Sequence, residues 1–238
     1  MNSVIIPARF KGPPNSANGG YVCGLMARRL AGDVAASLKM PPPLDTPIQL
    51  VERDGVVAMH LGDQLLGQAQ EARLDLDAPE FPEAWQSDGD PVAARGRPRE
   101  FTPFSTCFVC GKGREFPDGL CIHPQRVRGH EGMVAAQWRL HPDLADASGC
   151  VAPEYLWGAL DCPGYFACAP GEAALLARLT ARICAPLPPE GEALVIGWDL
   201  HGRGRKRRCG TAVYAPDGTL VAKAEGLWVV VDPASLTA

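Results

Sequence analysis

"ASGCVAPEYLWGALDCPG", residues 147–164, reads as a buried helix with one carboxylate, Asp161, on an otherwise apolar surface. The predicted helix spans 152–168. An earlier stretch, "GGYVCGLMARRLAG" at 19–32, has the same character: Tyr21, Leu25 and the Val22–Met26 pair follow helical spacing. Asn18 is placed to cap that helix and Gly32 to stop it. Each helix is followed by a run of strands. After the first come "DVAASLKM" (33–40), "PIQLVER" (47–53), "VVAMHL" (56–61) and "LLGQAQEARLDL" (65–76), with "SVIIPARF" (3–10) before it. After the second come "LLARLTARIC" (175–184), "ALVIGWDL" (193–200), "RCGTAVYA" (208–215) and "LVAKAEGLWVVV" (220–231). "DGLCIHPQRV" (118–127) and "GMVAAQWRL" (132–140) precede the second helix as strands. "APDGT" (215–219) reads as a two-residue Asp-Gly hairpin turn.

The order helix, then strands, occurs twice, and details repeat with it. "LKMPPPLDTPIQLV" (38–51) lies beside "ICAPLPPEGEALVI" (183–196), matching Pro41 to Pro186, Pro43 to Pro188 and Leu50 to Val195. "LLGQAQ" (65–70) lies beside "LVAKAE" (220–225). Between the halves, 79–100 is rich in Pro, Gly, Asp and Glu and reads as a linker. The expected organisation is a first unit at 1–78, the linker 79–100 and a second unit at 101–238, in the α+β class. Each helix should bury its apolar face on its own sheet, and the units should pair like the halves of a dimer.

Composition narrows the function classes. Of 238 residues, 46% are hydrophobic and 21% charged, and the net charge is −4, so no bulk attraction to nucleic acid is expected. "MNSVIIPARFKG" is too short and polar for a signal peptide, and no apolar run is long enough to cross a membrane. The nine cysteines are an odd number without an export signal, which suits reduced thiols in a cytoplasm. Cys23, Cys168 and Cys184 are expected as small core residues. No G-x-S-x-G and no G-x-x-x-x-G-K-[ST] occurs.

Three stretches carry a family resemblance. They are "FKGPPNSANGGYVCGLMARRL" (10–30), "MPPPLDTPIQL" (40–50) and "CFVCGKGREFPDGLCIHP" (107–124). With them the chain resembles the hot-dog superfamily, and specifically the tandem, or double hot-dog, acyl-CoA thioesterases. The resemblance implies two tandem hot-dog units, each an antiparallel sheet around a central helix, forming a pseudo-dimer. In that family the helix N-terminus commonly carries a His-Gly-Gly-like turn, with an acid nine positions after the His. The glycine amide polarises the thioester carbonyl, and the acid serves as base or nucleophile. In several members the two groups meet across the dimer interface.

Carried over by spacing, the first half has the turn (Asn18, Gly19, Gly20) but Ala27 where the acid belongs. The second half has Asp161 but Ala152 and Pro153 at the turn, and Pro153 has no N–H to donate. The defects are complementary. If the halves pair, one complete site remains, with Asp161 facing Gly19 and Gly20. An acid on a buried apolar face needs such donors. The plainer reading puts Asp161 at a solvated helix end, Asn18 as a cap alone and the glycines as a tight turn.

The expected activity is hydrolysis of an acyl-CoA or related thioester, with Asp161, Gly20, Gly19 and Asn18 in the machinery and Tyr21, Leu25, Tyr155 and Trp157 lining an acyl tunnel. The alternative is a non-catalytic protein that binds an acyl or aromatic ligand. A dehydratase or hydratase is weakest, because no His stands near either helix start. "GRGRKRRCG" (202–210) is either a charged, solvated strand edge or, through Arg205 and Lys206, a site for the phosphates of coenzyme A. Cys107, Cys110, Cys121 and His123 have ligand types suited to zinc, but the resemblance accounts for "CFVCG" without metal, and no cofactor is expected. Nucleic acid and membrane are not expected partners; a homo-oligomer is left open.

Overall fold

The computed structural model describes residues 2–80, 85–92 and 104–236. Its strands are β1 (Asn2–Ile5), β2 (Val34–Leu38), β3 (Pro47–Arg53), β4 (Val56–Leu61), β5 (Gln64–Glu71), β6 (Gln125–Arg126), β7 (Met133–Arg139), β8 (Ala174–Ile183), β9 (Glu192–Asp199), β10 (Lys206–Tyr214) and β11 (Leu220–Val230). The helices are α1 (Gly19–Ala27), α2 (Pro153–Ala159) and α3 (Cys162–Cys168).

The strands form one sheet in the order β1-β3-β4-β5-β2-β8-β11-β10-β9-β7-β6. Read from its outer edge inward, the first half runs β1-β3-β4-β5-β2. The second runs β7-β9-β10-β11-β8, with β6 added outside. The two series have the same topology and meet where β2 and β8 pair antiparallel, Val34 opposite Ala181 and Ser37 opposite Arg178. This is the double hot-dog architecture: two antiparallel sheets, each with its helix, joined edge to edge.

Alternation sets the inner face. Ile48 and Leu50 of β3 and Val57 and Met59 of β4 point into the core, with exposed or half-buried neighbours between them. α1 is buried from Gly20 to Ala27, as a helix enclosed on all sides must be. β9 and β10 are buried on both faces. Leu194, Ile196, Ala212 and Tyr214 face outward under Ala78 and Trp85, which explains the unbroken apolar run "ALVIG". The Tyr214 hydroxyl donates to the Pro79 carbonyl there. Of the predicted linker, 81–84 and 93–100 lie outside the described residues.

Several expectations need correction. The predicted helix 152–168 is broken into α2 and α3, because Pro163 has no amide to continue the ladder. "DGLCIHPQRV" contributes only β6; Cys121 takes φ +52°, and the amides of Leu120 and Ile122 bond to the carbonyls of Phe108 and Val109 in an irregular pairing. β5 ends at Glu71, after which Asp33 draws off the amides of Ala72 and Leu74. α1 closes before Gly32, which instead turns the chain into β2 at φ +69°. The "APDGT" hairpin is longer than two residues: Ala215 N donates to Thr219 O, and the Asp217 carboxylate takes the Thr219 amide. Cys23 and Cys168 are buried as expected, but Cys184 is exposed beyond the end of β8. No disulfide joins the described cysteines. No helix among the described residues is long and apolar enough to cross a membrane.

Beside the β2–β8 seam, Arg182 of the second half grips Asp33 of the first. Nε lies 2.5 Å from Oδ1 and Nη2 2.6 Å from Oδ2, a bidentate pair. The Arg182 guanidinium and the Leu74 amide hold the Asp33 carboxyl down at about 2 despite partial burial. A carboxyl lowered in the folded state stabilises it above the ordinary aspartate range, near pH 4. That contribution should fade as the pH falls toward 2. Asp33→Asn is expected to lower the unfolding free energy at pH 7 by about 1–3 kcal/mol. The difference from wild type should shrink in urea titrations repeated at successively lower pH.

Candidate functional site

Asn18 caps α1 as predicted, its Oδ1 accepting the Tyr21 amide at 2.9 Å. This leaves its Nδ2 group free to point elsewhere, and it donates to Asp161 Oδ2 at 2.9 Å. The Gly20 amide, an opening N–H of α1 with no partner inside the helix, donates to the same oxygen at 2.9 Å. The turn of the first half and the acid of the second are thus in direct contact. Asp161 is 2% exposed, which rules out the solvated-end reading. It sits at the break between α2 and α3 and caps neither helix with its side chain.

That contact depends on the absence of a side chain at Gly20. A Cβ there would lie 2.5 Å from both Asp161 Cβ and the Trp157 carbonyl oxygen. Burial pushes the Asp161 carboxyl up to about 7, against the opposing pull of the Gly20 amide and the Asn18 side chain. A carboxyl in that range can take and return a proton near neutral pH. Its second oxygen, Oδ1, is buried and has no hydrogen-bond partner among the described residues.

Asp161, Asn18 and Gly19 open onto a cavity of about 190 Å³. Both halves line it: Leu38, Met40 and Pro42 on one side, and Tyr165, Leu176 and Trp228 on another. The side chains expected to line a tunnel are placed differently. Tyr21 stacks on Phe10 at 4.1 Å between ring centroids, and Tyr155 packs against both rings. Leu25 and Trp157 are core residues at 3% exposure each. None of the four is among the cavity-lining residues. Tyr21 and Tyr155 instead meet each other between α1 and α2, their ring centroids 5.9 Å apart, and Ala27 and Pro153 belong to the end of that helix contact opposite Gly20 and Asp161. There Arg28, next to Ala27, pairs with Glu154, next to Pro153, at 2.8 Å. The mirror location is occupied by an ion pair.

The basic stretch divides. Arg207 pairs with Glu172 and Arg208 with Glu225. Arg205 and Lys206 are exposed. Lys206 lies opposite Val229 in the β10–β11 ladder, and Val229 lines the cavity; neither Arg205 nor Lys206 is itself among the lining residues. The four residues with zinc-type ligands do not converge: Cys121 Sγ faces the Arg114 carbonyl and His123 Nε2 the Gly111 carbonyl. Cys107 and Cys110 turn instead toward Cys162, a residue for which the sequence offered no ligand signal beyond its place beside Asp161.

No protein-family model matches the sequence, and no curated protein does. Solved structures do. The tesB protein of Mycobacterium avium subsp. paratuberculosis superposes with a TM-score of 0.60 at 14% identity, covering 97% of this chain and 92% of that one. A conserved hot-dog protein from Alicyclobacillus acidocaldarius gives 0.58 at 15% identity, covering 97% and 93%. The acyl-CoA thioesterase II TesB2 of Mycobacterium marinum gives 0.57 at 12% identity, covering 98% and 93%. At these identities the likeness establishes the fold.

Gly20→Ala is expected to force α1 and the Trp157–Asp161 segment apart, since one of the clashing atoms is backbone. The cost should be about 1–3 kcal/mol in urea unfolding. A crystal structure of the variant should show Asn18 Nδ2 beyond hydrogen-bonding distance of Asp161.

Proposed function

We propose that the protein hydrolyses an acyl-CoA or related acyl thioester in the cavity beneath Asp161. The observation that carries this reading is the division of labour on one carboxylate. Oδ2 is fixed by Gly20 and Asn18 from the other half, while Oδ1 is left for a water or for direct attack. In the water route Oδ1 accepts a proton as the water oxygen adds to the thioester carbonyl carbon; the C–S bond then breaks and the departing coenzyme A sulfur takes that proton, leaving the free acid. In the direct route the carboxylate adds itself and the C–S bond breaks to expel the coenzyme A thiolate, forming an anhydride that water then opens to free acid and carboxylate. Gly19, at the cavity wall at the start of α1, supplies the amide that polarises the carbonyl oxygen. Gly20 and Asn18 position the acid. The acyl group lies against Leu38, Leu176 and Trp228, and the exposed Arg205 and Lys206, at the start of β10 opposite Val229, meet the phosphates of coenzyme A.

The two-unit division at 1–78 and 101–238, joined by 79–100, belongs to the same reading, as does an origin by internal duplication. The common strand order of the halves supports both. One feature favours the second reading, capture of an acyl or aromatic ligand without turnover: the Gly20 amide is already bonded to Asp161 and so is not free for a carbonyl.

The test is a panel of acyl-CoA esters, with free coenzyme A measured by chromatography because the protein's own thiols would react with thiol dyes. Wild type should turn over at least one ester, and Asp161→Asn should lower kcat/KM at least about a hundredfold with an unchanged circular dichroism spectrum. Full turnover by that variant would remove Asp161 from the mechanism. Thermal stabilisation by an acyl-CoA without release of coenzyme A would establish binding alone.

A further inference from the structure

Three thiols stand beside Asp161, and the proposed hydrolysis uses none of them. Cys107, Cys110 and Cys162 are all buried, and their Sγ atoms lie within 4.8 Å of one another. Cys107 and Cys162 are 3.7 Å apart at sulfur. Two thiolates on a tetrahedral zinc, with Zn–S near 2.3 Å, are separated by about 3.8 Å.

The backbone is shaped to aim the first two sulfurs together. "CFVCG" folds into a tight turn in which the Gly111 amide donates to the Cys107 carbonyl at 2.9 Å. Gly111 has no room for a side chain: a Cβ would lie 2.6 Å from Cys107 N and from its carbonyl oxygen. The third sulfur arrives from a remote segment, at the first residue of α3, Cys162. The Asn18 amide group, already on Asp161, lies 3.7 Å from Cys107 Sγ and 3.9 Å from Cys162 Sγ, adding an N–H donor facing two of the three sulfurs. Neutral thiols are weak donors and weak acceptors, so three of them gain little from one another. A cation would gain all three.

We propose that Cys107, Cys110 and Cys162 form a site for a thiophilic divalent cation, of which Zn²⁺ fits best. All three residues line the cavity, so the fourth coordination position opens toward it. Binding forms three metal–sulfur bonds and releases the thiol protons to solvent. The site stands apart from the thioester reading and does not depend on it.

The experiment is a titration of the fully reduced full-length protein with Co²⁺ under anaerobic conditions. One equivalent should give a thiolate-to-cobalt charge-transfer band, which Zn²⁺ displaces. Zn²⁺ should also raise the melting temperature. Cys107→Ser and Cys162→Ser should lose at least nine-tenths of the band, whereas Cys121→Ser should keep it. A folded, fully reduced wild type that shows no band at excess cobalt overturns the proposal, as does an undiminished band in Cys162→Ser. The wild-type titration decides even if a serine variant fails to fold. No turnover is measured, so the outcome is separate from that of the thioester assay.

Discussion

A carboxyl carried into a protein interior loses its water, and buried donors must make up part of that loss. Asp161 finds its two on the other half of the molecule, at the cap and the first turn of α1. Much of the surrounding design follows from that requirement. Gly20 must lack a side chain so that the helix start can approach the acid. Asn18 must serve two partners at once, with its carbonyl oxygen on the helix and its amide group on the carboxylate. The helix carrying the acid breaks at Pro163, and Asp161 sits at that break with its side chain capping neither piece. The β2–β8 seam and the Asp33–Arg182 pair hold the halves in the one arrangement where these groups meet.

Much of this was legible from residues alone. The cap at Asn18, the period-two burial of β3 and β4 and the repeated order of elements are local signals, and local chemistry decides them. The complementary defects of the halves pointed to Asp161 and Gly20 as neighbours, and the fold brings them to 2.9 Å. The failures have a common origin in tertiary context. Cys121 takes a left-handed backbone angle that no pattern in "DGLCIHPQRV" announces. Tyr21 and Tyr155 have the size and polarity of ligand-contacting residues. In the fold they pack into an aromatic cluster, Tyr21 stacked on Phe10 and Tyr155 tilted against Phe108.

The cysteines show the limit most clearly. Spacing along the chain put Cys121 and His123 with Cys107 and Cys110, because all four lie within one short segment. Space puts Cys162 there instead, brought by the packing of α3 rather than by proximity in sequence. A compact motif was visible as a motif, but its completing member belonged to an element known only as the end of a helix. The result is a crowded corner where an acid, an amide and three sulfurs share one wall of the cavity.

The junction of the halves has one more consequence. Where two separate chains build such a sheet, the shared edge forms and dissolves with protein concentration. Here β2 and β8 lie on the same polypeptide, so the edge persists at any dilution. Covalent connection also lifts the rule of symmetry: a substitution in one half is not copied into the other. Arg28 and Glu154 show what that freedom permits: one corner is given over to an ion pair between the helices, while the other borders the cavity.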